Sequence, residues 1–343
     1  MRTSKKILVT GGAGYIGSHT VVELIENGYD PIIVDDFRNS YRSVIEGIEK
    51  ITKTELLVRD IDVCDYKSLK SVFEEFDFSG IIHFAAYKAV GESIEHPLKY
   101  YRNNLLGLIN CLDLAQDYKV SNFVFSSSCT VYGEPKGVRV VTEETEMQPA
   151  VAPYSATKQY GEHIINDFVK TNPAVKVLNL RYFNPVGAHS SGHIGELPIG
   201  RPNNLFPIVA QSISGKFGQL KVNGNDYPTE DGTCIRDYVH VCDVANAHVK
   251  AIEWLQEQKG SFAEVVNIGT GNGVSVLEII HTFEEISGQK IDWVFGPRRD
   301  GDIVEIYADV SKSVNLLNWF ANRTVKDAVK DAWNWEQRLK NEL

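Results

Sequence analysis

The chain contains no run approaching about 18 consecutive apolar residues, so no transmembrane helix is expected. Its start, MRTSKKILVTGGAG, lacks the apolar stretch of a secretory signal, because Ile7, Leu8 and Val9 run straight into glycines. Cysteine is scarce: five occur, Cys64, Cys111, Cys129, Cys234 and Cys242, with no C-x-x-C pair. The odd count argues against a disulfide framework and against structural zinc, and reads as reduced thiols in a cytoplasmic protein. Positive charge is short as well. Lys and Arg number 35 against 45 Asp and Glu, a formal net charge of −10. That balance excludes a general nucleic-acid or membrane-surface binder. An anionic small molecule stays open, because local arginines and helix N-termini decide that case.

What is present is ordinary for a globular protein: 343 residues, 43% hydrophobic and 23% charged. A core of real size is available without disulfides or a structural metal. At roughly 100–200 residues per domain the length suggests two domains. The first half alternates short apolar runs with amphipathic stretches. Ile7 to Thr10, Ile32 to Val34, Leu56 to Arg59, Gly80 to Phe84, Phe123 to Phe125 and Val175 to Leu180 read as strands. Helical spacing from Ser18 to Asn27 stops at Gly28. Strands alternating with helices imply right-handed βαβ units and a mostly parallel, doubly wound α/β sheet of the Rossmann type. From residue 184 onward the chain is loop-rich, with a helix from Asp243 to Gln256 and a strand from Val265 to Ile268. The expected division is 1–183 as the Rossmann domain and 184–343 as a smaller C-terminal lobe, with some segments folding back onto the sheet.

Thr10-Gly11-Gly12-Ala13-Gly14-Tyr15-Ile16-Gly17 follows the first strand and opens a helix. Gly12, Gly14 and Gly17 fit G-x-G-x-x-G; Gly11, Gly14 and Gly17 fit G-x-x-G-x-x-G. Either spacing gives a tight turn, close approach of backbone to a pyrophosphate, and a helix N-terminus facing the phosphates. Asp35 ends the second strand, where an acid hydrogen-bonds an adenosine ribose. Asp35 with Asp36 repels a 2′-phosphate, so NAD is expected rather than NADP. Ala85 and Ala86 follow His83-Phe84 at a strand end, and their small size lets a cofactor lie close.

Tyr154 and Lys158 stand at i and i+4, on one face of a helix that Pro153 helps to start. A free tyrosine titrates near about 10, too high for an efficient base at neutral pH, and a nearby ammonium lowers that value. The pair therefore suits removal of a sugar hydroxyl proton while NAD takes a carbon-bound hydride. Ser126, Ser127 and Ser128 follow the strand Phe123–Phe125 and offer a hydroxyl to the reacting oxygen.

Together these elements resemble the extended short-chain dehydrogenase/reductase family, with its T-G-x-x-G-x-x-G loop, strand-end serine and Y-x-x-x-K. Four longer segments narrow the resemblance: His83 to Val90 (HFAAYKAV), Ser126 to Gly133 (SSSCTVYG), Arg181 to His189 (RYFNPVGAH) and Tyr227 to Thr233 (YPTEDGT). They resemble the UDP-hexose 4-epimerase branch of that family over nearly the whole chain. The resemblance implies reversible C4 epimerisation of UDP-glucose and UDP-galactose through a 4-keto intermediate. Tyr154 is then the base, Lys158 binds the nicotinamide ribose and tunes Tyr154, and Ser128 bonds the sugar 4-oxygen. NAD stays bound throughout while the intermediate turns about its phosphate linkage. The family forms homodimers through helices that flank the Rossmann core.

Residue by residue, the resemblance places Gly11, Gly14, Tyr15, Ile16 and Gly17 of the loop at NAD. So it does Asp35, Asp36, Asn39, Ser40, Asp62 and Val63, then Phe84, Ala85, Ala86, Lys88, Asn103 and Tyr182, together with Tyr154 and Lys158. The nucleotide sugar falls to Lys88, Ser128, Tyr154, Phe183, Asn184, Asn204, Leu205, Asn223, Arg236, Arg299, Asp302 and Ile306. Arg236 and Arg299 are suited to pair a pyrophosphate. No metal is implied.

Two positions depart from the family pattern. Ile306 falls where epimerases restricted to plain hexoses resemble one another in having tyrosine, and where forms accepting N-acetylated hexoses have a small residue. Isoleucine lies between, which implies partial acceptance of UDP-N-acetylhexosamines. Asn223 stands where an aromatic near the nucleotide is common. Three rival readings share the scaffold. A 4,6-dehydratase needs Asp and Glu where Cys129 and Thr130 stand. A 3,5-epimerase/reductase uses a cysteine near the serine and a histidine, here Cys129 and His189, usually with NADPH, which Asp35 disfavours. A non-catalytic NAD sensor typically loses the tyrosine or the lysine, and both are present.

Overall fold

The computed structural model describes residues 5–135, 137–299 and 302–342. Among them a seven-stranded sheet is built from β1 (Lys6–Thr10), β2 (Asp30–Asp35), β3 (Leu57–Asp60), β4 (Gly80–His83), β5 (Asn122–Ser128), β6 (Lys176–Tyr182) and β7 (Phe262–Ile268). The spatial order is β7-β6-β5-β4-β1-β2-β3 and every pairing is parallel. Parallel sheets bury both faces, so their strands are apolar along their length. Side chains alternate between the faces. Ile7, Val9 and Ile33 point into one core with Val21, Leu24, Val244 and Ile252. Leu8, Ile32 and Val34 point into the other, with Leu108, Leu112 and Ile165.

The helices that matter to the site are α1 (Tyr15–Glu26), α2 (Pro97–Asp117), α3 (Pro153–Thr171) and α4 (Val241–Glu257). Pro153 occupies the first helical turn of α3, where its missing N–H is not needed. Strand order reverses at β1, which lies between β2 and β4. At such a switch point the connections leave to opposite faces and a crevice opens at the carboxyl ends of the strands.

β1, β2, β5, β6 and β7 are longer than the apolar runs predict, while β3 is shifted by one residue and β4 stops one residue short at His83. β5 continues from Phe125 through Ser126, Ser127 and Ser128 because these polar residues pair with Leu180, Arg181 and Tyr182 of β6. Strand β7 and helix α4 lie beyond residue 183 and join the large sheet and its cover. A separate core holds the helices Leu205–Ile213, Val276–Ser287 and Val325–Glu342 around Phe206, Ile280, Phe283 and Val329. A small sheet aligns Val274–Ser275, Ile235–Arg236, Glu305–Ala308 and Val140–Val141, so the segment after β5 pairs with late strands. None of the five cysteines is disulfide-bonded.

Candidate active site

The glycine loop divides its work among its glycines. Gly11 alone among them turns through positive φ, at 72°, and a methyl group there would stand 2.7 Å from the Ala85 nitrogen. At Gly17 a methyl group would meet the Gly11 carbonyl oxygen at 2.2 Å, so this glycine lets α1 pack against the loop. At Gly14 it would meet only that same oxygen, at 3.1 Å. No side chain caps α1 at Gly14. Gly12 packs instead on the Ile33 side chain. Of the two spacings, G-x-x-G-x-x-G describes the loop. The result is a helix N-terminus with open N–H groups and a small-residue floor, the chemistry that suits a pyrophosphate.

Asp35 braces this loop. Its Oδ2 accepts from the Ala13 amide at 3.0 Å, and its Oδ1 accepts from the Phe37 amide at 3.0 Å and the Ser40 hydroxyl at 2.9 Å. Burial pushes the carboxyl upward, while these three bonds oppose the shift. Nearby, Arg38 Nε meets Asp36 Oδ2 at 2.5 Å, its Nη2 pairs with Asp62, and its Nη1 reaches Asn103 Oδ1 at 3.5 Å. The arginine thus gathers three of the residues expected at the cofactor. Asn39 is exposed, Val63 is buried, and Asp62 Oδ1 accepts from the Cys64 amide at 2.8 Å.

Tyr15 commits its hydroxyl to the Gly187 carbonyl at 2.7 Å, and Ile16 packs onto the sheet core. Phe84 lies 4.6 Å from the His248 ring, centroid to centroid. His248 Nδ1 sits 2.8 Å from the Val244 carbonyl, so that nitrogen carries the proton and Nε2 accepts. Tyr182 donates to Nε2 at 2.6 Å. Burial lowers His248 to about 3, which keeps the ring neutral. The Tyr182 hydroxyl proton is therefore committed to His248.

The three candidate catalytic residues converge at the carboxyl end of β5. Ser128 is the last residue of that strand, and its Oγ accepts from the Thr130 amide at 3.2 Å and from the Thr130 hydroxyl at 3.1 Å. Tyr154 stands in the first turn of α3 and Lys158 one turn further on. Lys158 Nζ donates to the Ser126 carbonyl oxygen at 2.5 Å and to the Ser126 hydroxyl at 3.2 Å, and lies 4.9 Å from the Phe125 ring centre. Burial drops Lys158 to about 7, against an opposing pull from the Glu162 carboxylate.

Here the structure corrects one expectation. The sequence predicts a lowered Tyr154 pKa, but burial raises it to about 12, with a hydrogen bond from Ser128 opposing. Desolvation disfavours the phenolate, and the Lys158 ammonium is turned to Ser126. Burial also lifts the Cys129 thiol to about 12.

The nucleotide-sugar candidates sit on the elements beyond β6. Phe183 and Ile306 are buried in one apolar cluster with Val131 and Tyr132, and Cys129 packs against it. Ile306 pairs with Arg236 across the small sheet. Arg236 Nη2 reaches Asp302 Oδ1 at 3.2 Å. Arg299 is exposed, and its carbonyl accepts from the Asp302 amide at 3.2 Å. Asn184 pairs with Tyr238, and Asn223 with Gly296. Asn204 precedes the helix that starts at Leu205, and its Nδ2 donates to Glu196 Oε1 at 2.5 Å. That same oxygen holds Lys88 Nζ at 3.0 Å. One carboxylate therefore links a residue expected at the cofactor to one expected at the nucleotide. Ala86 is half-buried beside Ala85.

Four residues in these contacts escape the sequence reading: Arg38, Glu162, Glu196 and His248. Only Glu162 carries a local signal, since it continues the Tyr154–Lys158 helix face by one more turn.

A glycine loop at the head of β1, a strand-end serine and a Y-x-x-x-K helix, all on one parallel sheet, define an extended short-chain dehydrogenase/reductase. A family model described as GDP-mannose 4,6 dehydratase matches residues 8–332. Among relatives, UDP-glucose 4-epimerase 2 of Arabidopsis thaliana is 47% identical over 335 residues, 97% of this chain and 95% of that one. The crystal structure of UDP-glucose 4-epimerase from Bifidobacterium longum in complex with NAD+ and UDP matches with TM-score 0.93 and 43% identity, over 98% of this chain and 100% of that chain. The UDP-glucose 4-epimerase of Stenotrophomonas maltophila with bound NAD and formylated UDP-arabinopyranose matches with TM-score 0.95 and 43% identity, over 98% and 99% of the two chains. The chain belongs to the UDP-glucose 4-epimerase family. Among the described residues no helix is long and apolar enough to cross a membrane, and no three His, Cys, Asp or Glu side chains are grouped to hold a metal ion.

Proposed function

We propose that this chain interconverts UDP-glucose and UDP-galactose by epimerisation at C4 while keeping one NAD bound. The observation that carries the reading is the convergence of Ser128, Tyr154 and Lys158 at the end of β5, beside a helix N-terminus left open by Gly14. The loop suits the cofactor's pyrophosphate, and Asp35, fixed by three hydrogen bonds, suits an unphosphorylated ribose. Bound NAD supplies a reversible acceptor for the C4 hydride.

The side chains do the rest. Tyr154 takes the proton of the 4-hydroxyl and later returns it. Its ligand-free value of about 12 means the phenolate depends on positive charge arriving in the site, which the oxidised nicotinamide brings. Lys158 holds the nicotinamide ribose and adds to that field when charged. Ser128, whose hydroxyl bonds Tyr154 in the ligand-free site, turns its one proton to the sugar oxygen when substrate is bound. Arg236 and Arg299 pair the diphosphate, while Asn184, Asn204, Leu205, Asn223, Asp302 and Phe183 surround the nucleotide sugar. Residues 1–183 carry the cofactor, and 184–343 mainly the substrate, with β7 and α4 returned to the sheet.

Ile306, buried beside Phe183, gives the pocket intermediate width and admits UDP-N-acetylhexosamines in part. Exposed apolar side chains on α2 and α3 and the short helix before them, Ile94 at 61%, Leu98 at 69% and Tyr160 at 51% exposure, favour a homodimer through these helices. The reading places the enzyme in the cytoplasm. The test is incubation of purified protein with UDP-galactose and no added cofactor, followed by NMR. Formation of UDP-glucose supports the reading; no conversion, even with NAD supplied, contradicts it.

A further inference from the structure

Beneath the candidate catalytic residues lies a fully buried ion pair that the mechanism above does not use. Glu162 and Arg181 expose 2% and 3% of their side chains. The pair is bidentate: Arg181 Nε meets Oε1 at 3.0 Å and Nη2 meets Oε2 at 2.6 Å. Ser127 donates to the same Oε1 at 2.5 Å. Arg181 lies opposite Ser127 in the β5–β6 register, next to the Ser128–Tyr182 pair. Its guanidinium also lies 4.8 Å from the Tyr132 ring centre, and Tyr132 donates to Asn267 of β7 at 2.6 Å.

Two successive turns of α3 are thus fastened to two successive residues of β5. Lys158 holds Ser126, and Glu162 holds Ser127. The next residue of the strand is Ser128, and the preceding turn of the helix carries Tyr154. Burying two charges is costly, and apolar residues of similar volume often serve stability as well or better. A buried pair at this place is therefore poorly explained by stability alone. We propose that Glu162 is a positioning residue for the reaction, holding Ser128 and Lys158 in register with Tyr154. The inference rests on the epimerase reading, and the wild-type protein tests that reading separately.

Charge follows from the same geometry. The titratable groups whose charge is coupled to Lys158 are Glu162 on α3 and His83 on β4. His83 is lowered to about 3 by burial and is neutral. Glu162 is the anion that opposes loss of the Lys158 proton. Without it the charged form of Lys158 disappears at lower pH.

The experiment compares Glu162→Gln and Ser127→Ala with the wild type. The readouts are bound NAD released on denaturation, kcat and KM for UDP-galactose, and the pH profile of kcat. Both variants are expected to retain wild-type NAD content and KM within about twofold. Misplacement on the scale of an ångström lowers kcat by roughly ten- to a hundredfold. In Glu162→Gln alone the alkaline limb also moves to lower pH. Glu162→Gln leaves Arg181 unpaired; if it does not fold, Ser127→Ala, which keeps the ion pair, decides the matter through kcat. Folded variants with wild-type kcat, or an unmoved alkaline limb in folded Glu162→Gln, overturn the proposal. An inactive wild type sinks the epimerase reading instead.

Discussion

Lys158 donates to the carbonyl oxygen of Ser126 at 2.5 Å, so the helix that carries Tyr154 is anchored to the strand that ends in Ser128. In this position Lys158 is 5% exposed and titrates near 7 because burial disfavours its charge. Its ordinary value is about 10.4. The native state thus binds fewer protons than the unfolded chain between those two values, and stability rises with pH across that window. In urea denaturation of cofactor-free protein, the wild type is expected to gain on Lys158→Met from pH 7 to pH 10. A constant gap between the two would contradict a buried, depressed lysine.

Tyr154→Phe keeps the ring and removes the hydroxyl assigned to exchange the 4-hydroxyl proton. General base catalysis contributes about 10²–10⁴-fold, so kcat is expected to fall by that order. NAD content should not change. Steady-state kinetics together with the absorbance of cofactor released on denaturation separates the two.

Gly17→Ala tests the loop. The added methyl would stand 2.2 Å from the Gly11 carbonyl oxygen, closer than any real contact, so α1 and the loop must move apart. Purified Gly17→Ala is expected to carry less NAD than the wild type and to recover activity in part when NAD is added. Full NAD content in the variant would show that the loop does not depend on this close approach.

Ile306→Ala opens the apolar cluster shared with Phe183 and Val131. Truncating a buried isoleucine costs about 2–5 kcal/mol of stability, so the melting temperature should drop. The ratio of kcat/KM for UDP-N-acetylgalactosamine to that for UDP-galactose should rise. An unchanged ratio would place Ile306 outside the sugar pocket.

Much of the fold was legible because its signals are local. Ile7 to Thr10 followed by a glycine loop reads as a strand opening a helix, and Tyr154 with Lys158 reads as one helix face. Ser126 to Ser128 was not legible as strand, since hydroxyls show strand character only through pairing with Leu180 to Tyr182. The raised pKa of Tyr154 was hidden because burial comes from elements far away in sequence. The Tyr182–His248 bond spans 66 positions, and the Lys88–Glu196–Asn204 bridge joins segments that no spacing rule connects.

In the proposed cycle the hydrogen taken from C4 is the hydrogen put back. Epimerisation of UDP-galactose in deuterium oxide, with the product read by proton and deuterium NMR, tests this most directly. UDP-glucose that retains protium at C4 is the expected result. Deuterium at C4 would mean exchange with solvent, and would contradict a hydride held and returned within the site.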